Sequence, residues 1–161
     1  MLVSQRDDHK RNFSRTLDLA NLLQAGEVAG QQLKTHGACL LRFYAIESGL
    51  KYLLNLKEQV PFSYEVEFEN ASLDSEAGYP GRVEGYSHDL PRMLRRLKVA
   101  ASAVTPPPGP FKTIHGYNGG QSFNISAAHE AWRYGLQTDA GDQMVLEEFL
   151  ASVANYIASE I

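Results

Sequence analysis

Residues 38 to 58 constrain the fold most. Leu40, Leu41, Phe43, Ile46, Leu50, Leu53, Leu54 and Leu56 put apolar groups on most sides of any helix drawn through them. A helix that is dry nearly all round belongs at the centre of a bundle, since every face must find cover. Its polar edge is narrow, and there Glu47 and Lys51 stand in the favourable i to i+4 order for an ion pair. The rest of the chain must supply the cover.

The flanking segments read as that cover. Leu19, Leu22, Leu23, Gly26, Ala29 and Leu33 recur at three-and-four spacing and predict a first helix over 14–35, capped by Asn12 or Ser14 and stopped at His36-Gly37. After Pro61, the alternation of Phe62, Tyr64, Val66 and Phe68 predicts a short strand over 62–69. A glycine-punctuated loop spans 70–87. A third helix then starts at Ser87 or Asp89 with Pro91 in its first turn, and runs to about 102. It turns Leu90, Met93, Leu94, Leu97 and Ala101 inward. Residues 105–110, TPPPGP, form a stiff extended connection. Residues 111–120 are expected to pair as a second strand with 62–69. A fourth helix is predicted over 122–137, and a fifth over 142–160 with Leu146, Phe149, Leu150, Val153, Ile157 and Ile161 as its apolar seam. The expected class is mainly α: one domain, 1–161, an antiparallel bundle of four to five helices with a small β-hairpin insertion.

Composition excludes several functions. The net charge of −4 provides no global basic field, so nucleic acid would need a local patch. Two candidates exist: Arg92, Arg95, Arg96 and Lys98, and Lys10, Arg11 and Arg15. Each also reads as a solvated helix face. The lone Cys39 lies in an apolar run and reads as a core residue in a reducing compartment. No stretch has the length of a membrane span, and MLVSQRDDHKRNF is too charged for a signal peptide, so a cytoplasmic location is expected. Phosphate-cradling and dinucleotide glycine motifs are absent, and the five histidines lack paired-ligand spacing. No metal or cofactor is expected. His88-Asp89 reads as a helix cap.

On the fourth helix Ile125, Ala128, Trp132, Gly135 and Leu136 fall on one side. Ser122, Ser126, His129, Arg133 and Gln137 form the opposite stripe. His129 and Arg133, one turn apart, are the candidate active-site pair, able to act on one phosphate or carboxylate. The alternatives are a histidine bonded to a neighbouring helix and a surface salt bridge from Arg133 to Glu130.

Three segments in order, RFYAIESGLKYLL (42–54), SHDLPRMLRRL (87–97) and AAHEAWRYGL (127–136), resemble the HEPN superfamily of prokaryotic defence and toxin–antitoxin proteins over roughly 38–137. The resemblance implies a helical bundle that often dimerises and frequently acts as a metal-independent endoribonuclease. There an Arg holds growing phosphate charge and a His, after four to six intervening positions, exchanges the proton. Here Phe123 occupies the Arg position and Asn124 keeps only the polar companion role, with Arg133 as a substitute beyond His129. Arg82 and His88 have a fitting separation, but with nine arginines and five histidines one such spacing arises by chance. Three readings follow. The first is a HEPN-like subunit of a defence or toxin–antitoxin assembly, a homodimer or part of a larger complex, binding protein or RNA without robust catalysis. The second is an endoribonuclease active as a dimer through His129, Arg133 and Asn124. The third is a small-ligand or nucleotide-binding module using the 105–120 loop.

Overall fold

In a computed structural model of the chain, residues 5–26, 31–65, 74–75, 78–114 and 120–161 are described. Among them five α-helices dominate: α1 Arg6–Ala25, α2 Gln31–Glu58, α3 Leu90–Arg96, α4 Ala128–Arg133 and α5 Ala140–Glu160. Two minimal antiparallel ladders accompany them, β1 Asp74–Ser75 with β2 Tyr79–Pro80 and β3 Phe111–Lys112 with β4 Ser122–Phe123. The chain is mainly α with a small β insertion, the class its periodicities predict.

The dry helix is central. Ala38, Cys39, Phe43, Ala45, Ile46, Leu50, Leu53 and Leu54 of α2 are all buried, and α1, α3, α4 and α5 each pack on it. α1 runs antiparallel to α2, with Asn12 Nδ2 on Ser48 Oγ at 2.8 Å and Arg42 reaching Asn21 and Gln24. α5 instead runs parallel to α2. Its early residues Gln143 and Glu147 meet Cys39, Ile157 abuts Gly49, and Glu160 pairs with Lys57. The long connection between the two helices makes this direction possible, since it returns the chain to the starting end of α2.

Boundaries differ from expectation where local signals competed with packing. α1 begins at Arg6, where the Asp8 carboxylate accepts from the Gln5 N–H at 3.0 Å, and closes with the Gly26 N–H on the Leu22 carbonyl. Phe13, Ala20 and Leu17 face α2, whereas Leu19 and Leu22 of the predicted apolar face are 55% and 69% exposed, and Leu23 of that face meets α2 at Gly37. His36-Gly37 does not stop a helix. Gly37 lies inside α2, where a Cβ would come 2.8 Å from the Leu23 side chain, so it is a close-approach residue.

The predicted 62–69 strand does not form in its described part. Ser63–Glu65 is a 3-10 turn, tied by Glu65 Oε2 accepting from the Phe62 N–H and Asn55 Nδ2, both at 2.8 Å. Residues 66–69 lie outside the described residues. β3 pairs with β4 instead, and Thr113 bridges Thr138.

α3 starts where predicted, with Asp89 accepting from the Arg92 N–H at 3.0 Å and Pro91 in the first turn. It ends sooner, because Lys98 adopts φ 53°. Leu90, Met93, Leu94 and Leu97 are buried, while Ala101 is exposed. The fourth helix is much shorter than predicted. β4 claims 122–123, Ile125–Ala127 is a 3-10 turn, and Gly135 at φ 66° follows the six residues of α4. α5 is capped by Asp139, whose carboxylate accepts from the Gly141 and Asp142 N–H groups, and its predicted seam from Leu146 to Ile157 is buried. Among the described residues no helix is long and apolar enough to cross a membrane.

Candidate functional site

Tyr44, Glu47, Ser48, Lys51 and Asn55 lie at i, i+3, i+4, i+7 and i+11, which places them on one face of α2. A polar stripe on a buried helix must find partners, since an unpaired buried polar group costs about 1–3 kcal/mol. It does. Ser48 accepts from Asn12, and Asn55 donates to the Val60 carbonyl and to Glu65. Glu47, whose side chain is 12% exposed, uses both oxygens: Oε1 accepts from Lys51 Nζ at 2.5 Å, and Oε2 meets His88 Nδ1 at 2.7 Å.

His88 reaches this carboxylate because the 3-10 turn Val83–Tyr86 and Ser87, at φ 47°, swing the chain over α2 just before α3. A carboxylate only accepts, so Nδ1 carries the proton and Nε2 of the neutral ring is an acceptor. The His88 side chain is 40% exposed. Its ring lies 4.2 Å, centre to centre, from that of His129.

His129 is buried. Phe43 packs at 5.1 Å and Tyr44 at 6.1 Å from its ring, and among the described residues its Nδ1 has no partner in hydrogen-bond geometry. Burial holds its pKa below the ordinary histidine value, and the neighbouring His88 adds to that. The Glu130 carboxylate, the Ser126 carbonyl one turn upstream and Glu47 oppose it more weakly. His9 approaches the other end of the stripe, stacked on Phe62 at 4.9 Å. Its pKa is lowered by burial and then by Lys51, against Glu84, Glu47 and Asp8.

The predicted pair is not assembled. His129 was expected on an outer ridge with Arg133, but α4 packs Ala128, His129, Ala131 and Trp132 all inward. So short a helix lies against α2 over a broad arc, which takes His129 with the apolar side. Arg133 is exposed, its guanidinium 5.7 Å from the Tyr134 ring centre, and Asn124 is exposed ahead of the 3-10 turn without capping it. The basic cluster also divides. Arg92 donates to the Gly78 carbonyl, and Arg96 sits between Glu58 (3.7 Å) and the Tyr79 ring (5.5 Å). Arg95 and Lys98 remain exposed. Near the start, Arg11 pairs with Asp8 and Lys10 lies over Tyr52 at 5.8 Å.

Cys39 is the buried core residue its surroundings predict. Burial, and then the Glu147 carboxylate, push its thiol up to about 12, so it is no nucleophile at neutral pH. Among the described residues no group of His, Cys, Asp and Glu is arranged to hold a metal. Of the 105–120 loop, residues 115–119 lie outside the described residues.

The chemistry therefore collects at Glu47, Lys51, His88 and His129. It amounts to a carboxylate-oriented imidazole that reaches solvent, backed by a second imidazole whose charged form burial disfavours. Such a pair can take a proton through His88 Nε2. One half was legible in sequence, since Glu47 and Lys51 are one turn apart. The only sequence signal for the other half was a carboxylate inside an apolar helix, where burial demands a partner. No protein family, no curated protein and no solved structure matches this chain.

Proposed function

We propose that this chain is a HEPN-like helical subunit of a prokaryotic defence or toxin–antitoxin assembly. It acts in the cytoplasm, as a homodimer or within a larger complex, by binding protein or RNA without robust catalysis of its own. One observation carries the reading: His129 is committed to the Phe43–Tyr44–His88 packing while Arg133 and Asn124 face solvent elsewhere. Proton exchange and phosphate stabilisation need both groups on the same few atoms. Leu19 and Leu22, exposed on the outer side of α1, supply apolar surface suited to contact with another chain.

A second reading, a metal-independent endoribonuclease, is favoured by a different pair. His88, oriented by Glu47 and backed by His129, is an acid–base group with access to solvent. The two readings part in one assay. Purified protein is incubated with end-labelled RNA in EDTA, beside His88→Ala and His129→Ala variants. The first reading expects no cleavage above buffer from any of the three. Cleavage by the unaltered protein that disappears in His88→Ala sinks it and establishes the second.

A further inference from the structure

Beyond α3 the chain folds back on itself. Val99 to Pro107 runs along the end of the helix, and the Thr105 N–H and hydroxyl both meet Ser152 Oγ of α5, at 3.2 and 2.9 Å. Consecutive prolines stiffen this strap. Between strap and helix lies a groove of about 330 Å³, walled by Pro91, Leu94, Val99, Val104 and Pro106, with Arg95 at its edge. The walls are apolar, and among the described residues no carboxylate lines them.

Charge is segregated along the stretch of sequence that builds this groove. From Leu90 to His129 the sequence holds Arg92, Arg95, Arg96, Lys98 and Lys112 and not one Asp or Glu. Those five positive charges sit in a chain of net −4, which leaves −9 to everything else. Arg92 and Arg96 are engaged by Gly78, Glu58 and Tyr79, and the exposed cation among the residues lining the groove is Arg95. A guanidinium at an apolar cleft suits a carboxylate flanking a buried side chain. It does not suit a nucleic-acid strand, which asks for a track of cations and aromatic rings for its bases. Among the described residues no aromatic side chain lines the groove.

We propose that this groove docks an acidic segment of a partner protein: one or two bulky apolar side chains fill it, and an adjoining carboxylate pairs with Arg95. The inference stands on the groove and its charge, independently of whether the His88 site has activity. The test uses the full-length protein and fluorescence anisotropy. The probes are fluorescein-labelled nonapeptides in which two leucines or two phenylalanines are set among glutamates. Controls replace every glutamate by lysine, or substitute a labelled ten-uridine RNA. Arg95→Glu and Ala101→Glu change exposed residues, and unchanged melting curves verify their folding. Saturable binding of the glutamate peptides is expected, at least tenfold weaker in each variant and at least tenfold weaker for the lysine peptides. No saturable binding, equal binding of the lysine peptides, or indifference to both substitutions overturns the proposal. So does RNA binding lost in the same variants, which would make the face a nucleic-acid contact. Self-association lost in them would make it a contact between copies of this chain, and likewise overturns it.

Discussion

At the residue scale, His129 has the clearest measurable signature. Its folded-state pKa lies below the ordinary value of 6.5, through burial and the adjacent His88, with Glu130, Ser126 and Glu47 opposing. Between 6.5 and that lower value the unfolded chain binds more protons than the folded one. Stability therefore falls as pH drops below about 6.5, by at most ~1.4 kcal/mol per pH unit for a single group. His9 and His36 carry shifts of the same sign, so the slope of the whole protein is shared. His129→Leu is expected to flatten the decline without abolishing it, in urea unfolding followed between about pH 7.5 and 5.5. An identical slope in the variant would remove His129 from the account. Burial of Ile125, Ala128 and Trp132 was readable from spacing alone. That of His129 was not, because a 3.6-residue wheel divides a long helix into halves, whereas six residues pressed on a neighbour bury more than half their circumference. Nor does sequence reveal the Glu47–His88 contact, which joins residues 41 apart.

At the scale of elements, the starts of α3 and α5 were legible, while those of α1, α2 and α4, and the crossings, were not. Asp89 and Asp139 cap α3 and α5 with their own carboxylates, a purely local device. Gly37 looks like a terminator in sequence because what it accommodates, the Leu23 side chain, belongs to another helix. Gly49 is the stricter crossing point. A Cβ there would stand 2.7 Å from Ile157 Cγ2 and 2.9 Å from Phe13 Cδ2, wedged between α1 and α5. Gly49→Ala should cost about 1 kcal/mol net, overpacking of about 2 kcal/mol outweighing the roughly 1 kcal/mol that alanine returns in helix propensity. Gly37→Ala meets only the flexible tip of Leu23 and should lie within about 0.5 kcal/mol of zero or be slightly stabilising. Paired urea titrations check both, and equal effects at the two positions would contradict the three-helix crossing at Gly49.

At the scale of the molecule, α2 depends on both ends of the chain. Its α1-facing side is covered by its sequence neighbour, but Leu50, Leu53 and Leu54 belong to a core completed by Leu90, Met93, Trp132 and Val153. A fragment of residues 5–65, holding α1 and α2 alone, is accordingly expected to show helical circular dichroism without a cooperative thermal transition, because too little apolar surface is enclosed. A sharp melt would mean that the hairpin is a folding unit by itself. The mainly α class could be read from sequence because periodicity is local. The parallel course of α5 beside α2 could not, since nothing in either helix encodes the direction of a neighbour reached through a connection that begins at Gln59 and ends at Asp139.

That parallel course bears on biosynthesis. The greasy axis of the protein leaves the ribosome some eighty residues before the strand of chain that finally roofs it, which at roughly 5–20 residues per second amounts to several seconds. Throughout that interval the nascent α1–α2 hairpin presents bare leucines to the surrounding medium. Translation speed and holdase capture across this window, more than the intrinsic rate of helix formation, would then set the yield of native protein.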